Sequence, residues 1–353
     1  MNNNNPFSIT FGIEPSQYIE RFSQTDEILQ TFNADEPSNY VFIITGVRGS
    51  GKTVLLSNVE SRFSEDDRWI VVNASPDSDI LNKISAKLYS RTELKRLFIK
   101  AKLDLSVFGL GLSVEGGNQI FDIEVALEEM LKVLDKSGKR VLISIDEAVS
   151  NMYTREFVSA FQILIRHNMP VFLLMTGLYE NINSLQNEKT LTFLYRAPKI
   201  MLDSLSINSI ARSYRNILEI DQSVSEHMAH LTKGFAFAYQ VLGYLYWKNI
   251  KEKRKYDSVD DLIPEYEDTL ENYVYEKIWT ELPAKEQKIV GVLSKNNSTR
   301  ISDIRNELGL SSGEMSVYRD RLNKRGLVDA SRFGYLSLKL PQFGEIIRAR
   351  ISE

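Results

Sequence analysis

The octet GVRGSGKT at residues 46–53 constrains the fold of this chain more than any other feature. It matches the pattern G-x-x-x-x-G-K-[ST], in which glycines let the backbone wrap closely around phosphate groups. The apolar run at 40–45 predicts a buried strand before the octet, and residues 54–63 can continue as a helix after it. This order of strand, loop and helix predicts an α/β protein that binds a nucleoside triphosphate.

Side chains and backbone have separate predicted tasks in this loop. Lys52 is expected to reach the β- and γ-phosphate oxygens, and Thr53 to offer its hydroxyl oxygen to Mg²⁺. The predicted cofactors are therefore ATP and Mg²⁺. The residues predicted to contact the nucleotide are Gly46, Val47, Arg48, Gly49, Ser50, Gly51, Lys52, Thr53 and Val54.

A second apolar run, RVLISI at residues 140–145, ends in the acidic pair Asp146 and Glu147. On its own, such a pair is commonly a solvated turn. Downstream of a phosphate-binding loop it indicates a Walker B motif, in which Asp146 holds the metal ion and Glu147 orients or deprotonates the attacking water. The two motifs together predict an ATPase.

Two further residues are candidates for the catalytic site. Residues 170–176 predict another buried strand, which ends at Thr176, where a γ-phosphate sensor belongs; the alternative is that Thr176 only begins a turn. Arg196 precedes a short strand at 199–202 and is a candidate arginine finger for a neighbouring subunit, or else a partner in a surface ion pair. Because strands alternate with helices, the sheet is predicted to be parallel, with these motifs at its carboxyl edge.

Composition limits the other function classes. The chain has 353 residues, 43% hydrophobic and 25% charged, which predicts a globular protein of two or three domains. It contains no cysteine and three histidines, which excludes disulfides and thiolate chemistry and argues against imidazole metal sites. The most apolar window, 234–247, is shorter than the ~20 residues that span a bilayer. We therefore expect a cytoplasmic protein with no membrane role.

Charge is distributed unevenly along the chain. The whole chain carries −4, whereas the segment from Lys285 onward has thirteen basic and eight acidic residues and so carries +5. An acidic body with a basic C-terminal segment indicates that this segment meets a polyanion.

The same C-terminal segment has the pattern of a winged helix. Three short helices from Pro283 onward precede a hairpin at 331–340, and Ser311 with Glu314 forms a capping box at the third helix. The leading interpretation is binding to double-stranded DNA. The alternative is a winged helix that binds proteins, which the acidic residues Glu314 and Asp320 favour. The predicted DNA contacts are Ser312, Ser316, Arg319, Arg321 and Arg332.

The chain resembles the AAA+ superfamily, in particular prokaryotic ATPases related to archaeal origin-recognition initiators and to the STAND group. The resemblance rests on GVRGSGKT, LISIDEA, PVFLLMTGL and FLYRAPKI, in this order. It implies an AAA+ core with a parallel sheet at 1–203, an α-helical lid at 204–280 and a winged-helix domain at 281–353. It also implies a nucleotide centre formed by Lys52, Thr53, Asp146 and Glu147. In the same pattern Thr176 is the γ-phosphate sensor and Arg196 is the arginine finger.

The lid departs from the family pattern. Many relatives carry a Gly-x-x-Arg sensor there, whereas GFAF in this chain places Phe237 where the arginine would be. We therefore expect a slow, switch-like ATPase that associates with DNA. The alternative is a nucleotide-controlled signalling scaffold with protein partners, and self-association is expected if Arg196 acts as a finger.

Overall fold

The computed structural model describes residues 4–10, 15–110, 117–252, 258–296 and 298–352. Internal contacts divide the chain into two compact units. The first, here called the sheet unit, consists of Arg21–Thr45 and Lys52–Met201. The second, here called the C-terminal unit, consists of Met1–Glu20, Gly46–Gly51 and Leu202–Glu353.

In the described part of the sheet unit there are seven strands. They are β1 (Val41–Thr45), β2 (Trp69–Ala74), β3 (Leu103–Asp104), β4 (Asn118–Gln119), β5 (Arg140–Ile145), β6 (Val171–Gly177) and β7 (Lys199–Met201). Five of them form one parallel sheet in the order β2-β5-β6-β1-β7, and β3 pairs separately with β4. The predicted parallel sheet is confirmed.

Seven α-helices of the described ranges connect or flank these strands. They are α1 (Phe22–Asn33), α2 (Lys52–Ser64), α3 (Ile80–Ser90), α4 (Thr92–Lys100), α5 (Ile123–Asp135), α6 (Met152–Arg166) and α7 (Tyr179–Gln186). Side chains of Asp79, Asp122 and Asn151 accept hydrogen bonds from first-turn N–H groups and so start α3, α5 and α6.

Helices cover both faces of the sheet, which explains the uninterrupted apolar runs of its strands. On one face, Phe32 of α1 packs 4.9 Å from Phe172, and Phe63 of α2 packs 4.3 Å from Trp69, between ring centroids. Apolar residues of α3, α5 and α6 cover the other face. Strand β6 lies between β5 and β1, so the ends of all three strands meet at one edge.

Among the residues that the structure describes, nine α-helices belong to the C-terminal unit. They are α8 (Ile207–Leu218), α9 (Gln222–Leu231), α10 (Ala236–Glu252), α11 (Ile263–Leu270), α12 (Glu276–Thr280), α13 (Ala284–Leu293), α14 (Ile301–Leu308), α15 (Ser312–Lys324) and α16 (Phe343–Ser352). A π-helical turn, Glu271–Tyr275, joins α11 to α12. No helix among the described residues combines the length and hydropathy needed to cross a membrane.

Aromatic residues at and just before the start of α10 pack inside the unit. Phe235, Phe237 and Tyr239 are buried. Phe7, from the start of the chain, is also buried, with its ring centroid 5.5 Å from that of Tyr239. A methyl group at Gly243 would lie 2.6 Å from the Phe7 ring, so this glycine makes room for it.

The C-terminal segment contains three helices where the sequence predicts them. The paired strands of its hairpin lie at 328–329 and 335–338, so the hairpin begins before the predicted range of 331–340. Strands β8 (Thr299–Arg300), β9 (Val328–Asp329) and β10 (Tyr335–Leu338) form an antiparallel sheet in the order β8-β10-β9. Gly309 ends α14 in the left-handed conformation, with φ 63°, and the Ser311–Glu314 capping box begins α15. A hydrogen bond from the Ser311 backbone and another from its side chain lower the pKa of Glu314 to about 2. The sequence did not predict β8 or α16.

Candidate nucleotide-binding site

The predicted phosphate loop connects β1 to α2. Within it, the N–H of Ser50 donates to the carbonyl oxygen of Val47 at 3.1 Å and closes a four-residue turn. Gly49 occupies the third position of that turn with φ +80°, and Gly51 follows with φ +91°. Both φ values favour glycine, because residues with a Cβ atom rarely adopt them.

Helix α2 begins at Lys52, directly after this loop. The first N–H groups of a helix have no intrahelical acceptors, and together with the helix dipole they attract an anion. Lys52, which places its positive charge at this helix start, is largely buried. The start of α2 therefore has the donors and the positive charge that a triphosphate requires.

Thr53 and Asp146 provide two oxygen atoms suited to Mg²⁺. Thr53 lies in the first turn of α2, and Asp146 follows the last residue of β5. The hydroxyl of Thr53 donates to Oδ2 of Asp146 at 2.8 Å. Adjacent ligands of an octahedral Mg²⁺ at ~2.1 Å lie about 3 Å apart, so these two oxygens fit such an ion.

The acidic turn after β5 is held by a small hydrogen-bond network. The Glu147 N–H lies 3.1 Å from both Asp146 Oδ1 and Thr176 Oγ1. The Thr176 hydroxyl also donates to Asp146 Oδ1, and the Ala148 N–H donates to the Thr176 carbonyl at 2.7 Å. Glu147 has φ +52°, an uncommon backbone conformation for a residue with a side chain. The network therefore maintains a strained turn that exposes the Glu147 carboxylate.

Comparison with known families decides the classification. A model described as the KAP family P-loop domain matches residues 20–293. The chain belongs to the KAP family of P-loop NTPases. A second model, described as a domain of unknown function, matches residues 272–347 of this KAP-family protein. No curated protein matches the chain.

Solved structures show the same fold. The ADPNP–ADP complexes of the Aeropyrum pernix ORC2 protein match with 15% identity and a TM-score of 0.58, covering 98% of each chain. The ADP form of that protein matches with 14% identity and a TM-score of 0.51, again covering 98% of each chain. A STAND protein with a tetratricopeptide repeat sensor from Pyrococcus horikoshii matches with 17% identity and a TM-score of 0.40, covering 94% of this chain and 42% of that one. The predicted AAA+ P-loop fold is confirmed by the first two.

The two remaining catalytic candidates of this KAP-family protein have different surroundings. Thr176 is buried beside Asp146 and Glu147, as the parallel sheet requires; its role as a γ-phosphate sensor stays a prediction. Arg196 ends a 3₁₀ turn, Thr192–Arg196, and is exposed. It forms no ion pair with any residue that the structure describes, and its role as a finger also stays a prediction.

Sequence analysis missed one acidic residue near the site. Burial raises the pKa of Glu60 of α2, and the charge of Asp146 raises it further, whereas hydrogen bonds from Ser144 and Asn73 oppose this shift. Glu60 follows Lys52 by eight residues, a spacing that returns to the same helix face. That spacing was the signal by which the sequence could have identified it.

The four predicted DNA contacts on α15 fall into two groups. Ser312, Ser316 and Arg319 are exposed on α15. Arg321 instead forms an ion pair with the buried Glu286, with Nε 3.3 Å from Oε1. The structure therefore gives Arg321 a partner inside the C-terminal unit, and its DNA contact stays a prediction.

Beside the hairpin lies a basic residue, Arg300 of β8, that the sequence did not single out. Arg332 lies over the Tyr335 ring, 3.9 Å from its centroid. Arg300 of β8 donates to the Tyr335 hydroxyl at 2.8 Å. Phe333, at the tip, is 99% exposed. Two guanidinium groups thus lie around one ring beside an exposed aromatic side chain.

Proposed function

We propose that this protein binds ATP with Mg²⁺, hydrolyses the nucleotide slowly, and uses its nucleotide state to control binding to double-stranded DNA. One observation carries the nucleotide part: Thr53, Asp146, Glu147 and Thr176 form a connected network at the edge of the sheet, next to Lys52 at the start of α2. The same set of groups would bind the phosphates, hold the metal and activate water.

Each residue has a separate task in the proposed hydrolysis. Lys52 binds the β- and γ-phosphate oxygens as a fixed positive charge. Thr53 and Asp146 would hold Mg²⁺, which neutralises phosphate charge when it is bound. Glu147 accepts the proton of the attacking water, while Thr176 keeps the acidic turn in place. Because Phe237 occupies the arginine position of the lid, one source of transition-state charge stabilisation is missing, which supports a slow rate.

Charge reversal at Lys52 tests nucleotide binding directly. Lys52→Glu replaces the phosphate-binding ammonium by a carboxylate and is expected to weaken ATP binding at least ~100-fold, because two charge-assisted contacts become repulsive. Isothermal titration calorimetry with ATP and Mg²⁺ measures the dissociation constant. Lys83→Glu on α3, an exposed lysine, is the control and is expected to bind like the unaltered protein. Equal affinity of both variants would contradict the proposed site.

For the DNA part, we propose that residues 281–353 form a winged helix. Support comes from the element order α13-β8-α14-α15-β9-β10 and from the exposed polar face of α15. In this arrangement, Ser312, Ser316 and Arg319 meet the major groove and Arg332 meets the backbone or the minor groove. Arg300 is added to this set because it shares the Tyr335 ring with Arg332.

Salt dependence distinguishes phosphate contacts from other contacts. Arg319→Ala and Arg332→Ala are each expected to weaken binding to duplex DNA and to reduce the logarithmic salt slope by ~0.9, because each removes one phosphate contact. Fluorescence anisotropy with a labelled duplex at several salt concentrations measures both quantities. Arg166→Ala, an exposed position on α6, is expected to change neither. Binding with no salt slope would contradict the DNA interface.

A second candidate function is a nucleotide-controlled signalling scaffold with protein partners. Val317, on the outer face of α15, is 55% exposed, and Glu314 and Asp320 lie on the same helix. An apolar side chain among acidic residues suits a protein surface better than a phosphate backbone. This alternative would be favoured if the unaltered protein bound ATP but did not bind duplex DNA.

A further inference from the structure

Within the C-terminal unit, the start of α10 contacts the phosphate-loop residues through its main chain. The Phe237 N–H donates to the Gly49 carbonyl oxygen at 3.1 Å. Because α10 begins at Ala236, this N–H lies in the first helical turn, where no intrahelical acceptor exists. The loop carbonyl therefore serves as the acceptor that the helix lacks.

Two aromatic residues also pack against Gly49. A methyl group added there would lie 2.8 Å from Cζ of Phe235 and 3.0 Å from Cβ of Phe237. Both distances are shorter than ordinary carbon contacts, so the residues touch the loop backbone closely. The loop and the start of α10 thus fit each other without space for a side chain at Gly49.

The side chains of the two residues before Gly49 also lie close to residues after position 280. Arg48 Nη2 lies 3.4 Å from Glu281 Oε1, at the end of α12. Val47 Cβ is 3.6 Å from the position that a Cβ at Gly326 would occupy, just after α15. Arg48 and Gly49 therefore contact the ends of two helices of the same unit, and Val47 lies close to Gly326.

These contacts involve the residues that define the loop's shape. Arg48 and Gly49 are the two central residues of the turn closed by Ser50 and Val47. In a trans peptide, the carbonyl of Gly49 and the N–H of Ser50 point in opposite directions. Fixing the carbonyl on Phe237 therefore also fixes the N–H that closes the turn.

We propose that Phe237 and Glu281 are positioning residues that hold this turn of the phosphate loop and couple nucleotide affinity to the C-terminal unit. The inference rests on the proposed ATP binding. It gives position 237 a task other than that of an arginine sensor: its backbone N–H holds the loop, and the loop's own arginine reaches Glu281.

A double-mutant cycle tests the side-chain part. Glu281→Gln is expected to raise the dissociation constant for ATP about three- to fivefold, the range for a partly exposed ion pair. In an Arg48→Ala background the same change is expected to have no further effect, because Glu281 acts through Arg48. Glu307→Gln removes another exposed ion pair, with Lys295 at 2.6 Å, and serves as the control. Purely additive effects, or an unchanged dissociation constant, would overturn the inference.

Two substitutions at one position test the main-chain part. Phe237→Pro removes the N–H and the ring, whereas Phe237→Ala removes only the ring; proline is tolerated in the first helical turn. The proline variant is expected to bind ATP about fivefold more weakly than the alanine variant, because it loses the one hydrogen bond to the Gly49 carbonyl. Melting temperatures without nucleotide identify any variant that fails to fold. If the unaltered protein takes up no ATP, the proposed function fails; if it does and the variants match it, only the positioning role fails.

Discussion

A Glu147→Gln variant is expected to bind ATP as tightly as the unaltered protein and to hydrolyse it about 10²- to 10⁴-fold more slowly, the usual contribution of a general base. The amide has the size of the carboxylate but cannot accept a proton from water. The backbone contacts of the turn, from the Glu147 N–H to Asp146 and Thr176, do not involve the altered side chain. The loss should therefore be confined to the chemical step.

Single-turnover hydrolysis and calorimetric titration separate the two effects of this substitution. Glu156→Gln on α6 is the matched control, because it alters another exposed glutamate in the same unit. It is expected to hydrolyse ATP at the unaltered rate. If Glu147→Gln did so too, a different residue would have to activate the water, and the exposed turn after β5 would lose its proposed purpose.

The second large effect is expected in stability rather than in hydrolysis. Glu286 of α13 is completely buried and lies between two arginines from the end of α15, with Arg325 Nη1 3.1 Å from its Oε2. Arg325→Met leaves much of this charge uncompensated in the interior. We expect the segment from α13 to α16 to be destabilised by about 3–5 kcal/mol.

Hydrogen exchange of the α13 and α15 amides measures this change locally, and it should accelerate more than ~100-fold. Lys324→Met removes the adjacent positive charge, whose ion pair with Asp320 is exposed, and is expected to change stability by less than about 0.5 kcal/mol. Similar exchange in the two variants would show that Arg325 is not needed to compensate Glu286.

The sequence predicts the centre of the candidate site well because its determinants are local. A phosphate loop specifies its own backbone through glycine positions, and a parallel sheet brings the ends of its strands to one edge. Thr53 and Asp146 therefore meet although 93 positions separate them. The capping box at Ser311 is similarly local, since its two residues are one helical turn apart.

Contacts that depend on packing were not predictable. Arg48 meets Glu281 across 233 positions, and nothing in either local sequence specifies the other. The orientation of Arg321 toward Glu286 likewise depends on how α13 crosses α15. The sequence predicts Arg321 as a DNA contact, but its long side chain extends to a buried charge instead.

The C-terminal unit is discontinuous in the chain. Phe7 fills its interior beside Tyr239, and the six residues of Gly46–Gly51 belong to it by their contacts, whereas the rest begins at Leu202. A fragment that starts at Leu202 therefore lacks a buried aromatic ring and an entire bound loop. Dissection of this protein by truncation would damage the unit it aims to isolate, and point substitutions in the intact chain are the sounder approach.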